Sequence, residues 1–269
     1  MRIRGWGMLV MALGAVTPAG ASELKGFANV WADYGIPSFG AVNDANRDAV
    51  DAAKRAGSGD ANGVKVSSLF GGGLTAGVAI GDRARAGFRT GYLVSNQGAL
   101  KYTTHEAAFS PLLVLDTDRD DTARYSAVPL LVGGEVRTPV NEKAWVGIAL
   151  YVGLGLTGAR EVFDGSTTSS GILGTGFSRN RGTLEASGSG TMAEVSVGGS
   201  MRLGQSLSLG LDLGYRLLKT HLAADGDVDL DGDGAPDIHK GDVATDADGR
   251  KMDYDFSGLF ANLSLCFHM

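Results

Sequence analysis

Period-two alternation of apolar residues with small or polar ones recurs eight times along the chain. This pattern limits what the chain can fold into more than any other feature, because it is the mark of strands whose two faces meet different surroundings. The last stretch, "GLFANLSLCFHM", puts Leu259, Ala261, Leu263, Leu265, Phe267 and Met269 on one side. Gly258, Phe260, Asn262, Ser264, Cys266 and His268 fall on the other. The same pattern runs through 69–80, 84–94, 126–138, 145–158, 191–203 and 206–218. In "GFANVWADYG" (26–35) the alternation is present but its facing is ambiguous. Six of the 269 residues are proline and 42 are glycine, many of the glycines inside these segments, which suits curved, closely approaching strands.

The connections alternate in length. Segments two and three, four and five, and six and seven are joined by "GDR" (81–83), "PVNEK" (139–143) and "GQ" (204–205). The other four connections, about 36–65, 96–123, 159–189 and 220–253, are long. The expected fold is therefore all-β: an eight-stranded antiparallel up-and-down transmembrane barrel with short periplasmic turns and long extracellular loops. The competing fold is a soluble eight-stranded barrel with its apolar face inward. The off-face residues argue against it, being mostly Gly, Ser and Ala with isolated charges of both signs, as a narrow interior requires. No charge sits on the apolar face of segments two to eight.

The first 21 residues carry Arg2 and Arg4, an apolar run over Met8–Val16 and the small triplet Ala19-Gly20-Ala21. This reads as a cleaved export signal, residues 1–21, ahead of a barrel domain, residues 22–269. Without it the chain has 22 basic against 30 acidic side chains, a formal charge of about −8, which excludes a nucleic-acid partner. The single cysteine, Cys266, allows no internal disulfide.

The stretches "VPLLVGGEVRTPVNEKAWVGIALYVGLG", "SLSLGLDLGYRLL" and "DFSGLFANLSLCF" resemble the small eight-stranded outer-membrane β-barrels of the OmpA, OmpX and OmpW types. The resemblance spans the mature chain and is one of pattern. It implies a monomer in the outer membrane of a Gram-negative bacterium, in contact with lipid and lipopolysaccharide. It also implies passage or binding of small molecules, or a surface role for the acidic loops. By the same resemblance Leu263, Leu265 and Phe267 form a signal for the barrel-assembly machinery, with Phe267 two residues short of the usual terminal aromatic.

Eight charges point to the expected interior: Arg85, Arg89, Glu135, Arg137, Glu194, Arg202, Asp212 and Arg216. Enclosed charges must pair, so they read as a salt-bridged plug, with a narrow gate as the alternative. The stretch 225–253 holds ten aspartates. In it Asp229, Asp231, Asp233, Gly234 and Asp237 match the start of a calcium loop. Lys240 stands at position twelve, where a bidentate Glu is required, so this is not an EF-hand; the stretch reads as a solvated acidic loop, with a weak Ca²⁺ site as the alternative and no other cofactor. Residues 42–57 read as a short helix capped by Asn43 and lying at the mouth. No serine–histidine spacing points to a catalytic triad among His105, His221, His239 and His268, so the chain is expected not to be an enzyme.

Overall fold

Each alternating segment becomes a strand, because a ladder satisfies every backbone donor and acceptor while sorting side chains to two faces. The computed structural model describes residues 24–57, 60–108, 113–171, 174–231, 233–245 and 249–269. The expected export segment lies outside these residues. In chain order the elements are β1 (Leu24–Pro37), α1 (Gly40–Arg55), β2 (Asn62–Val64), β3 (Leu69–Ile80), β4 (Ala84–Ser95) and β5 (Gly98–Ala108). They continue with β6 (Leu113–Pro139), β7 (Ala144–Gly171), β8 (Gly174–Arg202), β9 (Leu207–Thr220), β10 (Ala223–Ala224), β11 (Tyr254–Asp255) and β12 (Gly258–His268).

Eight of these strands pair antiparallel in the order β1-β3-β4-β6-β7-β8-β9-β12. The sheet then returns on itself, with β12 pairing β1 from Phe27↔His268 to Pro37↔Gly258. Apart from this closing pair, every neighbour in the ring is also a neighbour in sequence among the eight, as expected of an up-and-down arrangement. At one end of the ring the turns are tight, and Gly81 takes the positive φ (59°) that the β3–β4 turn requires.

The two faces separate as the alternation demands. Outward are Val30 and Tyr34 on β1, Leu74 on β3, Phe88 on β4, Val132 on β6 and Ile148 on β7, all exposed. Val197, Leu213 and Leu263 carry the same band across β8, β9 and β12. Inward, Trp31, Leu69, Leu93, Leu131, Met192 and Leu218 form one buried layer drawn from seven of the eight strands once Tyr151 is added. The facing of β1, ambiguous in the sequence, is settled: Phe27, Trp31 and Asp33 point in, and Val30, Tyr34 and Ile36 point out.

Two expectations are corrected. The connections 96–123 and 159–189 are not loops: β6, β7 and β8 run on for 27, 28 and 29 residues, pairing as far as Gly171↔Gly174. Pairs such as Thr117↔Thr167 and Asp164↔Arg181 hold the ladder where both faces are polar. A strand with two wet faces has no alternation for a sequence pattern to reveal. The eight expected strands are accordingly joined by four more, β2, β5, β10 and β11, on the side of the long connections.

The interior is narrow enough that glycines make the room for its largest ring. A Cβ on Gly91 would lie 2.6 Å from Trp31 Cη2 and Cζ2, and one on Gly73 2.6 Å from Trp31 Cζ2. Gly91→Ala should therefore cost about 1–3 kcal/mol through overpacking. The measurement is a urea midpoint in micelles, where an unchanged midpoint would mean that both the indole and the Gly72 carbonyl, 2.5 Å from the new Cβ, give way.

Candidate functional site

The interior charges assemble around Arg216, which is 1% exposed and lies among the side chains of four strands. Its Nη1 and Nη2 donate to Asp33 Oδ1 and Oδ2 at 3.3 and 3.1 Å, and its Nε donates to Glu194 Oε1 at 2.7 Å. Glu194 Oε2 in turn lies 3.1 Å from Arg89 Nε, and the Arg89 guanidinium stacks 4.2 Å from the Trp31 ring centre. Arg216 itself sits 4.9 Å from the Phe260 ring centre. Two guanidinium and two carboxylate groups thus balance in one buried layer, which is how enclosed charge becomes tolerable.

A second pair, Arg85 Nη1 and Glu135 Oε2 at 3.6 Å, lies nearer the short-turn end, with Arg85 over Phe27 at 5.0 Å. Arg137 pairs with no carboxylate among the described residues; its Nε donates to the Asp82 carbonyl at 2.9 Å and it lies over Trp145. Arg202 does not fit the expected set, since it is exposed at the rim against Trp145. It stands at the last residue of β8, where the sheet no longer covers it. Asp212 is half-buried and lies against the backbone of Gly198. Asp33 went unnoticed in the sequence; the apolar Val30, Ala32, Tyr34 and Ile36 on alternate positions were the signal that it faces in.

Above this layer, at the end with the long connections, the mouth is filled by aromatic rings. Phe39 sits 4.9 Å from Phe256 and 5.2 Å from Tyr125, and Tyr125 lies 5.7 Å from Tyr254. Helix α1 follows Phe39 directly. Its N-cap position is Phe39 with no side-chain cap, so Asn43 is not the cap. Asn43 lies one turn inside, where its Nδ2 donates to the Val66 carbonyl and its Oδ1 accepts from the Val66 N–H, at 2.9 and 3.0 Å. This two-way clasp ties the helix to the strand-bound chain.

Two cavities open among these elements. One, of about 330 Å³, is walled by Phe163, Leu184, Leu222, Val243 and Tyr254 with the carboxyl of Glu161. The other, of about 280 Å³, lies between α1, β5 and β6 and shares Glu161 and Phe163. Glu161 Oε1 accepts from the Tyr125 hydroxyl at 3.0 Å. Burial, with Asp121 adding to it, pushes the Glu161 carboxyl above its ordinary pKa despite that hydrogen bond. Asp121 is paired with Arg119.

In the acidic loop, one carboxylate oxygen each from Asp229, Asp231 and Asp237 lies within 4.8 Å of the others. Gly234 has the positive φ (91°) of the expected sharp turn, and its N–H donates to Asp229 Oδ2 at 2.9 Å. Asp233 is not in the convergent set; its Oδ1 accepts from the Ala235 N–H instead. The expected site is thus reduced to three carboxylates. The outward-facing Leu263, Leu265 and Phe267 are exposed on β12.

Each long-connection histidine stands beside an aspartate: His105 with Asp116, His221 with Asp253 at 3.4 Å, and His239 with Asp227 at 4.0 Å. At the opposite rim Ser208 Oγ and His268 Nε2 are 2.8 Å apart, a contact between residues 60 positions apart that no local spacing reveals.

No known protein family and no curated protein matches the sequence. Among solved structures, the chain is matched by the outer membrane protease OmpT of Escherichia coli, with 8% identity over 94% of this chain and 97% of that one, at a TM-score of 0.17. A likeness this slight carries no argument about chemistry. It does correct one expectation: the matched protein is a protease, so the reading of this chain as a non-enzyme, which rested on a missing serine–histidine spacing, is withdrawn. No activity takes its place.

Removing Arg216 leaves Asp33 and Glu194 facing each other without their shared cation. Arg216→Ala should cost about 3–5 kcal/mol, and Arg216→Met in an Asp33→Asn background, which keeps the Arg89–Glu194 pair, far less. Chemical denaturation of the refolded variants reads the difference.

Proposed function

We propose that the chain is an outer-membrane β-barrel of a Gram-negative bacterium whose interior is sealed, and that it acts as a binding protein at its outer mouth. The observation that carries this reading is the pairing of an outward apolar band on all eight ring strands with charges buried inside. A contiguous apolar surface of this extent calls for a lipid or protein cover, and a closed ring satisfies the backbone that a bilayer would leave unpaired. No described helix is long and apolar enough to cross a membrane; the ring strands are the elements suited to crossing.

Within this reading the OmpA, OmpX and OmpW types remain the nearest pattern, reached through an export signal at residues 1–21. The short-turn end faces the periplasm, and lipid and lipopolysaccharide cover the band. The barrel is a monomer, and its assembly signal is Leu263, Leu265 and Phe267. Binding is favoured over passage because the buried layer from Trp31 to Leu218 and the Arg216 cluster together occupy the cross-section. A second reading, a divalent cation at the surface, is supported by the convergence of Asp229, Asp231 and Asp237.

Leu263→Arg, an outward change at mid-band, should weaken folding into vesicles by about 2–4 kcal/mol. Wild-type protein in a planar bilayer should stay electrically silent; steady single-channel steps would overturn the sealed interior. For the cation, calcium titration of the full chain should show binding in the 10⁻⁴–10⁻³ M range, on the order typical of extracellular sites, and Asp231→Asn should abolish it. No response at millimolar calcium rejects that reading.

A further inference from the structure

The cavity between β7, β8 and residues 222–245 has the composition of a ligand pocket, and its chemistry selects a class of ligand. Its volume of about 330 Å³ lies at the lower end of the range for small-molecule sites. Its walls are apolar and aromatic, while its lining holds two carboxyls, Glu161 and Asp242, and no lysine, arginine or histidine. We propose that this cavity binds a small organic cation, a protonated amine on a body of about one ring, with the ammonium group on the Glu161 carboxylate.

Glu161 has one partner among the described residues, the neutral Tyr125 hydroxyl, and no cation pairs with it. It is half-buried, so its charge is poorly hydrated without being neutralised. Asp33 and Glu194 share Arg216, and Asp121 has Arg119, while Asp212, half-buried like Glu161, does not line this cavity. An ammonium group in the cavity would supply the missing charge and, in this poorly solvated position, form a charge-assisted hydrogen bond. Tyr254 and Phe163, aromatic residues able to stack on a cation, line the same cavity.

The neighbouring cavity of about 280 Å³ is less suited, because its lining already holds a guanidinium, Arg119, paired with Asp121. A metal ion is less suited to this one, since hard cations require six or more oxygens and the side chains of this lining offer only the carboxyls of Glu161 and Asp242 and the hydroxyls of Thr245 and Tyr254. A neutral apolar solute fits the walls but leaves the carboxylate buried and unpaired.

This inference rests on the mouth-binding reading above and can fail without it. The test is calorimetry of the full-length protein, refolded in micelles, with 2-phenylethylammonium and the neutral 2-phenylethanol as probes. In the wild type the amine should bind at least about ten-fold tighter than the alcohol, the equivalent of one charge-assisted hydrogen bond. Glu161→Gln should remove that preference while leaving alcohol binding within about two-fold, since the walls are untouched. Should that variant fail to fold, Glu161→Asp keeps the charge and should keep the preference. Equal binding of the two probes in the wild type, or no amine binding at millimolar concentration, overturns the proposal. Protein that neither folds nor enters vesicles overturns instead the barrel reading on which it rests.

Discussion

The ladder between β1 and β12 governs everything inside the molecule. Eleven register pairs, from Phe27↔His268 to Pro37↔Gly258, turn a sheet into a closed ring. Eight strands enclose a space only wide enough for side chains, so closure commits the interior to being packed. The layer of Trp31, Leu93, Leu131, Met192 and Leu218 follows from it, as does the compensation of Arg216 by Asp33 and Glu194. The glycines beneath the Trp31 ring follow too, since a ring of that size has no other place to lie.

Closure also explains why the charges are grouped as they are. Arg216 takes one carboxylate, Glu194, from the neighbouring β8 and the other, Asp33, from β1 across 183 positions. The β1–β12 and β12–β9 ladders bring β1 within reach of β9. At the rim the demand relaxes. Arg202 meets solvent there, and Arg137 is content with a carbonyl and a ring.

Much of the ring was legible in the sequence because period-two alternation is a direct imprint of two unlike faces. The strands with the cleanest alternation, β7, β9 and β12, face as their residues foretell. What escaped has physical causes. Asp33 hid in a strand whose Trp31 and Tyr34 are aromatic on opposite faces, so hydrophobicity alone did not orient it. The outer halves of β6, β7 and β8 hid because polar side chains on both faces resemble a loop, while the backbone ladder that holds them is silent in the sequence. Asn43 looked like a helix cap because caps and backbone clasps use the same side-chain chemistry. Glu161 carried no signal, since its isolation arises from groups that are absent around it.

The length of β7 and β8 has a consequence for the end of the molecule beyond the band. From Leu156, the last outward apolar residue of β7, the paired hairpin continues to Gly171, fifteen residues farther. At a rise of roughly 3.3 Å per residue this is about 50 Å of ladder standing clear of the band. Near its tip Phe177 is 69% exposed beside Arg179 and Arg181. At this level β6 pairs alongside β7 as far as Leu113↔Gly171 and β5 pairs β6 from Gly98↔Ala123 to Ala108↔Leu113, so the extension is a sheet of four strands whose backbone groups are satisfied without an apolar cover.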